Sequence, residues 1–384
     1  MRKLRLGMIG GGPDAFIGAV HRTAAIMDGA MDLVCGAFSS SPDRSREMGN
    51  LLALSPERVY GSFTEMIEKE KALPDNMRMD AVSIVTPNHL HFKPAKMALE
   101  AGFHVVLDKP MTFDLTEAKS LKKAVEKNGL YFCLTHTYSG YPMIKEARQQ
   151  VKNGKLGTIR KIFVTYPQGW LNTALEQTEN KQASWRTDPS KSGKAGCMGD
   201  IGTHAFNLAE YISGLQVSKI CADINIVVPG RQLDDDGAVL LRFEGGASGV
   251  LIASQVLAGE ENDLTVKIYG ETGGLEWKHS DPNTLLMKYP DKPAEIWRAG
   301  TGYLSAVAKH NTRTPSGHPE GFLEAFANHY RNFGLCVQAR INGEKPKEEW
   351  LDFPGVEEGV RGMAFIDHVI ASGKSETKWT DFAI

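Results

Sequence analysis

Leu4-Arg5-Leu6-Gly7-Met8-Ile9-Gly10-Gly11-Gly12 opens the chain with a short apolar run that ends in three consecutive glycines. A run of this length bounded by glycine reads as a buried strand, and glycine directly after it lets the backbone turn sharply into a helix. The same pattern recurs downstream. Leu33–Phe38, Ala81–Val85, His104–Leu107 and Leu130–Leu134 are further β-rich runs, with a weaker one near Val59. Between them, Ser41-Pro42-Asp43 opens one helix, Pro94–Ala101 forms another before Gly102, and Asp114–Asn128 a third before Gly129. Ser or Asp at helix starts and Gly past their ends satisfy or release the unpaired terminal amides and carbonyls. Strands alternating with helices predict a parallel sheet with crossover helices.

That alternation ends near residue 136, so residues 1–136 are expected to form an α/β Rossmann dinucleotide-binding domain. Beyond Thr135, longer β-rich runs separated by glycine turns predict a second, α+β domain over residues 137–384, with a large, mainly antiparallel open sheet. Ala238–Phe243 and Ala247–Gln255 flank Glu244-Gly245-Gly246 as one hairpin; Leu264–Tyr269 and Leu275–Lys278 flank a loop ending Gly273-Gly274 as another. Two late helices, Glu320–Arg340 and Val356–Ser372, are expected to pack on that sheet or to return toward the first domain. A chain of 384 residues exceeds one compact core, which agrees with two domains.

Apolar residues at 42% and charged residues at 23% are ordinary globular values. A net charge of -2, with no basic block interleaved with aromatics, argues against a nucleic-acid partner and for a neutral or small polar substrate. Cys35, Cys133, Cys197, Cys221 and Cys336 are odd in number and widely spaced, which fits reduced thiols in a cytoplasm better than zinc ligands. The basic start, Met1 to Leu6, meets glycines before an apolar signal core can develop, and no later apolar run suffices for a bilayer, so no membrane partner is expected.

Gly10 and Gly12 would let a dinucleotide pyrophosphate approach the backbone, with Phe16 and Ile17 heading the following helix. Pro13 to Ile17 separate Gly12 from Gly18, where the common fingerprint has two residues, so a glycine turn without a ligand stays open. Strand two runs out into Ser39-Ser40-Ser41 in place of the acidic residue that would bind an NAD ribose. Ser39, Ser40 and Arg44 suit the 2′-phosphate of NADP, a slight preference against an equally good reading as a capping serine and a solvated arginine.

Thr86-Pro87-Asn88-His89, with His91 just beyond, and Asp108-Lys109-Pro110 follow the third and fourth of these strands, at ends where such sheets bind ligands. Lys109 could bond a reacting hydroxyl or the cofactor ribose, or be a surface lysine beside a cis proline. Gly199-Asp200-Ile201-Gly202-Thr203-His204 precedes an apolar helical run, which puts Asp200 and His204 near a helix start on one face. The positive helix end favours an ionised Asp200 and a neutral His204 able to take a proton. A capping aspartate with a packing histidine is the competing reading, and no further ligand completes a metal set. His136, Tyr138, Tyr141, Trp185, Arg186 and His318 are candidates to line a polyol pocket, or equally ordinary packing residues.

Together, the glycine loop, Thr86-Pro87-Asn88-His89, Asp108-Lys109-Pro110 and the Asp200 to His204 segment resemble the glucose-fructose oxidoreductase, inositol dehydrogenase and rhizopine catabolism (Gfo/Idh/MocA) family over nearly the whole chain. The resemblance implies an NAD(P)-dependent dehydrogenase that oxidises a secondary hydroxyl of a sugar, sugar derivative or cyclitol. It further implies Lys109, Asp200 and His204 as the catalytic set, His204 accepting the proton, with the lysine as an alternative base. Thr86, Pro87, Asn88, His91, Asp108 and Lys109 would line the cofactor, and the open sheet face would make a homodimer or homotetramer. Two departures are Asp108, where the family has glutamate, and the lengthened glycine loop. An NAD-dependent glycosidase using transient oxidation, and a non-catalytic dinucleotide-binding regulator, are the alternatives.

Overall fold

A computed structural model describes residues 2–384, which divide into two compact units. The first comprises the chain up to Gly140 together with Phe322–Val360; the second comprises Tyr141–Gly321 and Arg361–Ile384. A single boundary at residue 136 was expected; the observed division follows Gly140, and a late segment returns to the first unit.

In the first unit, β1 (Leu4–Gly10), β2 (Met31–Ala37), β3 (Ala81–Val85), β4 (His104–Leu107) and β5 (Phe132–Leu134) form an all-parallel sheet in the order β2-β1-β3-β4-β5. Every residue of β3 and β4 is buried, as expected when helices cover both faces. Near Val59 there is only a single bridge to Gly36, because the turn Pro56–Arg58 and the cap Ser62 leave no room for a strand. The helix Phe63–Ala72, absent from the sequence reading, is capped by Ser62, whose hydroxyl accepts from Glu65 N. Asp114 caps Leu115–Asn128 in the same way, and Gly129 ends it in the left-handed conformation that glycine adopts without strain.

The helix Phe322–Ile341 belongs to this unit. Phe326, Tyr330, Phe333 and Val337 join Leu4, Leu6, Val20, Ala24 and Met31 in one buried apolar cluster. Its 20 residues thus return to the first domain, one of the two positions the sequence allowed.

The second unit carries a nine-stranded sheet of β6 (Ile159–Pro167), β7 (Val217–Asn225), β8 (Asp236–Phe243), β9 (Ser248–Ser254), β10 (Thr265–Gly270), β11 (Gly274–Lys278), β12 (Thr284–Lys288), β13 (Glu295–Arg298) and β14 (Thr380–Asp381). The order is β13-β12-β11-β10-β6-β9-β8-β7-β14, and only β6 and β9 pair in parallel. Both expected hairpins form, β8 with β9 and β10 with β11. Strict alternation along β8 buries Val239, Leu241 and Phe243 and exposes Ala238, Leu240 and Arg242, so one sheet face is covered and the other open. The helices Pro142–Lys152 and Thr203–Ser213 pack on each other, and the latter on β6.

Candidate active site

At the end of β1, Gly10 and Gly11 take φ of 86° and 72°, a region that a side chain would strain. A Cβ on Gly12 would stand 2.9 Å from the Phe38 carbonyl oxygen, and one on Gly18 would stand 2.4 Å from the Gly11 Cα. Gly18 therefore does the work of the third fingerprint glycine, letting helix and loop touch, although five residues separate it from Gly12. The extra length is taken up by Pro13, Asp14 and Ala15 before the helix Phe16–Ile26 begins, with Asp14 at φ 69°. No side chain caps this helix and its first turn holds no acid, so its leading amides suit an anion. Phe16 is exposed and Ile17 half-buried beside them. Arg22, which sequence reasoning missed, donates from Nη1 to the Gly11 carbonyl at 2.8 Å and braces the loop from the helix side.

Next to Gly10 stands Thr86, whose Oγ1 is buried with no hydrogen-bond partner among the described residues. An unsatisfied buried hydroxyl costs about 1–3 kcal/mol, and a bound dinucleotide would offer the missing partner. At the ribose end, Ser39 Oγ accepts from Ser41 N and Ser40 is exposed. Arg44 is engaged by the Asp14 carboxylate at 3.2 Å and by the Pro13 carbonyl at 3.3 Å.

At the end of β4, Asp108 Oδ1 accepts from Lys109 N at 2.9 Å and from Thr135 Oγ1 at 3.0 Å. His21 Nε2 lies 3.8 Å from the same oxygen, too far for a hydrogen bond but near enough for charge to matter. Burial alone would raise this carboxyl, but His21, the Lys109 ammonium and His91 hold it down at about 2. His21 is itself fixed by Tyr330 and Ser83 at 2.7 and 3.2 Å from Nδ1, and Ser83 bonds the same tyrosine at 2.7 Å. Lys109 and Pro110 are joined by a cis peptide bond.

His91, a candidate to line the cofactor, is fully buried, with Nδ1 2.8 Å from the Pro110 carbonyl and Nε2 2.7 Å from the Thr86 carbonyl. It thereby ties the loop after β3 to the loop after β4. Pro87 is exposed and Asn88 buried in the turn between. His136 and Tyr138 are buried in this unit, and His136 is pushed down to about 3, first by burial and then by the Lys109 ammonium.

In the second unit, Met198–Gly202 forms a π-helical turn that runs into the helix Thr203–Ser213, a distortion common at functional sites. Asp200 projects from that turn and His204 follows four residues on, 7% exposed. Asp200 Oδ2 accepts from Arg186 Nε at 3.2 Å and from Gln255 Nε2 at 3.0 Å. The Arg186 guanidinium lies 4.3 Å from the ring centroid of Trp185 and 5.8 Å from that of Trp170, so aromatic faces fix the cation that fixes the carboxylate. Gln168 accepts from Gln255 Nε2 at 3.2 Å and from Trp170 Nε1 at 3.1 Å, which extends the polar network. Neither glutamine carried a sequence signal, because each matters only through a strand end it shares with the other. Tyr141 bonds His279 at 3.1 Å, and His318 lies on an exposed loop.

Comparison with known proteins identifies the family. Residues 4–136 match the model of an oxidoreductase family with an NAD-binding Rossmann fold, and residues 144–276 match the GFO/IDH/MocA C-terminal domain. An uncharacterized oxidoreductase of Bacillus subtilis is 30% identical over 99% of this chain and 97% of its own. The levoglucosan dehydrogenase of Pseudarthrobacter phenanthrenivorans is 28% identical over 93% and 100%. An inositol dehydrogenase homolog from Azotobacter vinelandii, solved with NAD+, is 33% identical over 99% and 98% of the chains with a TM-score of 0.94. Its complex with NADH and myo-inositol gives 32% identity over 99% and 98%, with a TM-score of 0.90. The chain belongs to the GFO/IDH/MocA family of oxidoreductases.

Proposed function

We propose that this GFO/IDH/MocA oxidoreductase oxidises a secondary hydroxyl of a cyclitol or sugar, with NAD as the hydride acceptor. The observation that carries the reading is the Asp200 carboxylate held by Arg186 and Gln255, one turn before a buried His204, in a chain similar to a protein solved with myo-inositol. The glycine loop and the helix start after it would hold the pyrophosphate of NAD, whose nicotinamide would supply the hydride-accepting chemistry. Lys109 orients the hydroxyl and stabilises its developing negative charge. His204 accepts the hydroxyl proton, and Asp200, pinned in place, bonds the substrate and sets the imidazole's orientation. The amides of Gln168 and Gln255 and the indoles of Trp170 and Trp185 suit an uncharged, many-hydroxyl ring.

NAD is preferred over NADP in this reading, because Asp14 neutralises the arginine that a 2′-phosphate would need and adds a repelling charge. The chain works in the cytoplasm as a homodimer or homotetramer. The open sheet face, with Leu240 and Ile252 43% and 38% exposed, supports the oligomer. Among the described residues no helix is long and apolar enough to cross a membrane, and no disulfide forms.

The test is to titrate both cofactors and then follow nicotinamide absorbance with myo-inositol, scyllo-inositol, levoglucosan and common pyranoses. Steady reduction with at least one is expected, and Lys109→Met should abolish it while NAD affinity stays within a few-fold. Silence across the panel overturns the substrate class, and unchanged turnover in the variant removes Lys109 from the chemistry.

A further inference from the structure

We propose that Asp234 is a positioning residue for Asp200 and His204, clamping the start of the helical turn from which both project. The inference rests on the roles proposed above for those two residues. Asp234 Oδ1 accepts from Gly196 N at 2.7 Å, Oδ2 from Met198 N at 2.7 Å, and its carbonyl from Cys197 N at 2.8 Å. Three consecutive amides at a helix start, donors that the helix itself leaves unpaired, thus end on one residue far along the chain. An ordinary cap is the residue next to the helix, and its geometry is local. Here the position of the π-helical turn depends on where the segment preceding β8 lies.

Gly196 makes the close approach possible. A Cβ there would stand 2.3 Å from the Asp234 carbonyl oxygen, so any side chain pushes the clamp off the amides. The next residue works on the same target from the other side. Asp235 is anchored by Val227 N at 2.7 Å, Val228 N at 3.0 Å and Arg231 Nη1 at 3.0 Å, and its carbonyl accepts from Gln255 N at 2.9 Å. Gln255 in turn holds Asp200. One dipeptide therefore sets both the turn that carries the carboxylate and the amide that grips it. Nothing else in the mechanism uses Asp234, although it is a carboxylate only 6% exposed.

Its carboxylate bonds only backbone amides. Asp235 is the like charge that acts on it, the Cys197 thiol feels its charge, and the two cations lining the same cavity are already engaged, Arg231 by Asp235 and Glu176 and Arg186 by Asp200. Burial raises it to about 6, against the pull of the amides. A protonated carboxyl turns one acceptor into a donor aimed at an N–H, so the clamp loosens as pH falls through that value.

Asp234→Asn imitates the loosened form at every pH, and Gly196→Ala attacks the same contact from the helix side. Both are measured in the full chain with Asp200→Asn in parallel, using myo-inositol or whichever member of the polyol panel turns over fastest. We expect kcat to fall 10- to 100-fold in both clamp variants, with NAD affinity within twofold and the melting temperature within a few degrees. The acid limb of kcat in Asp234→Asn should lose the steepness of one proton near pH 6. Amide exchange at Gly196, Cys197 and Met198 should quicken at least tenfold, a readout that needs no substrate. Turnover within threefold of the parent, an unaltered acid limb, or unchanged amide protection overturns the clamp. Full turnover in Asp200→Asn overturns the role of Asp200 instead, and leaves the amide result to judge the clamp.

Discussion

Gly18→Ala tests the reading that a displaced glycine completes the phosphate loop. The added Cβ would stand 2.4 Å from the Gly11 Cα and 3.2 Å from its carbonyl carbon, both backbone atoms that cannot rotate away. Relief to ordinary contact requires loop and helix to separate by about 1 Å, and strain of this kind costs about 1–3 kcal/mol. The same shift takes amides at the helix start out of line with a pyrophosphate. Loss of one charge-assisted hydrogen bond, about 1.5–3 kcal/mol, corresponds to a ~10- to 100-fold weaker NAD Kd. Isothermal titration with NAD, paired with urea unfolding, measures both effects. Gly302→Ala is the control, because a Cβ there meets nothing within 4 Å; its stability and NAD affinity should stay at the parent values. An unchanged NAD Kd in Gly18→Ala would show that the loop does not hold the pyrophosphate through this contact.

Asp14→Ala should release Arg44 and raise kcat/KM for NADP relative to NAD about two- to fivefold, the scale of an exposed ion pair; an unmoved ratio disconnects Arg44 from the 2′ position. His104, lowered to about 4 by burial and then by Arg340, stays neutral in the fold while the unfolded chain takes up a proton below its ordinary value near 6.5. Stability from this group is thus complete above about pH 6.5 and is lost as pH falls toward 4, at about 1.4 kcal/mol per pH unit. Denaturant titrations of His104→Asn should give a slope flatter by that amount, and an identical slope refutes the assignment. Glu70, fully buried, accepts from Arg58 at 2.7 and 2.8 Å, Tyr60 Oη at 2.8 Å and Met79 N at 2.9 Å. Glu70→Ala strands these donors and should destabilise by about 3–5 kcal/mol in urea unfolding, whereas a loss below 1 kcal/mol contradicts the network.

Much of the first unit is legible one segment at a time. Its strands are short apolar runs because both faces of a parallel sheet are covered, and its helices carry their caps beside them, as with Asp114 and Gly129. Lys109, Asp200 and His204 could be proposed as candidates for the same reason, since each lies in a contiguous motif at a strand or helix end. β6 is not legible because Arg160 and Lys161 interrupt its alternation, and its parallel partner β9 pairs with it at a separation of 87 residues, from Lys161↔Ser248 to Pro167↔Ser254. No local pattern records such a pairing. Nor does any local pattern say that Gly18 touches Gly11, that Arg44 is engaged by Asp14, or that His91 spends both nitrogens on backbone carbonyls. Periodicity and capping are written along the chain because they depend on neighbours within a turn or two. The grip of Arg186 and Gln255 on Asp200, and of Asp234 on the turn beneath it, depends on which strand ends the fold brings side by side, and only the folded chain decides that.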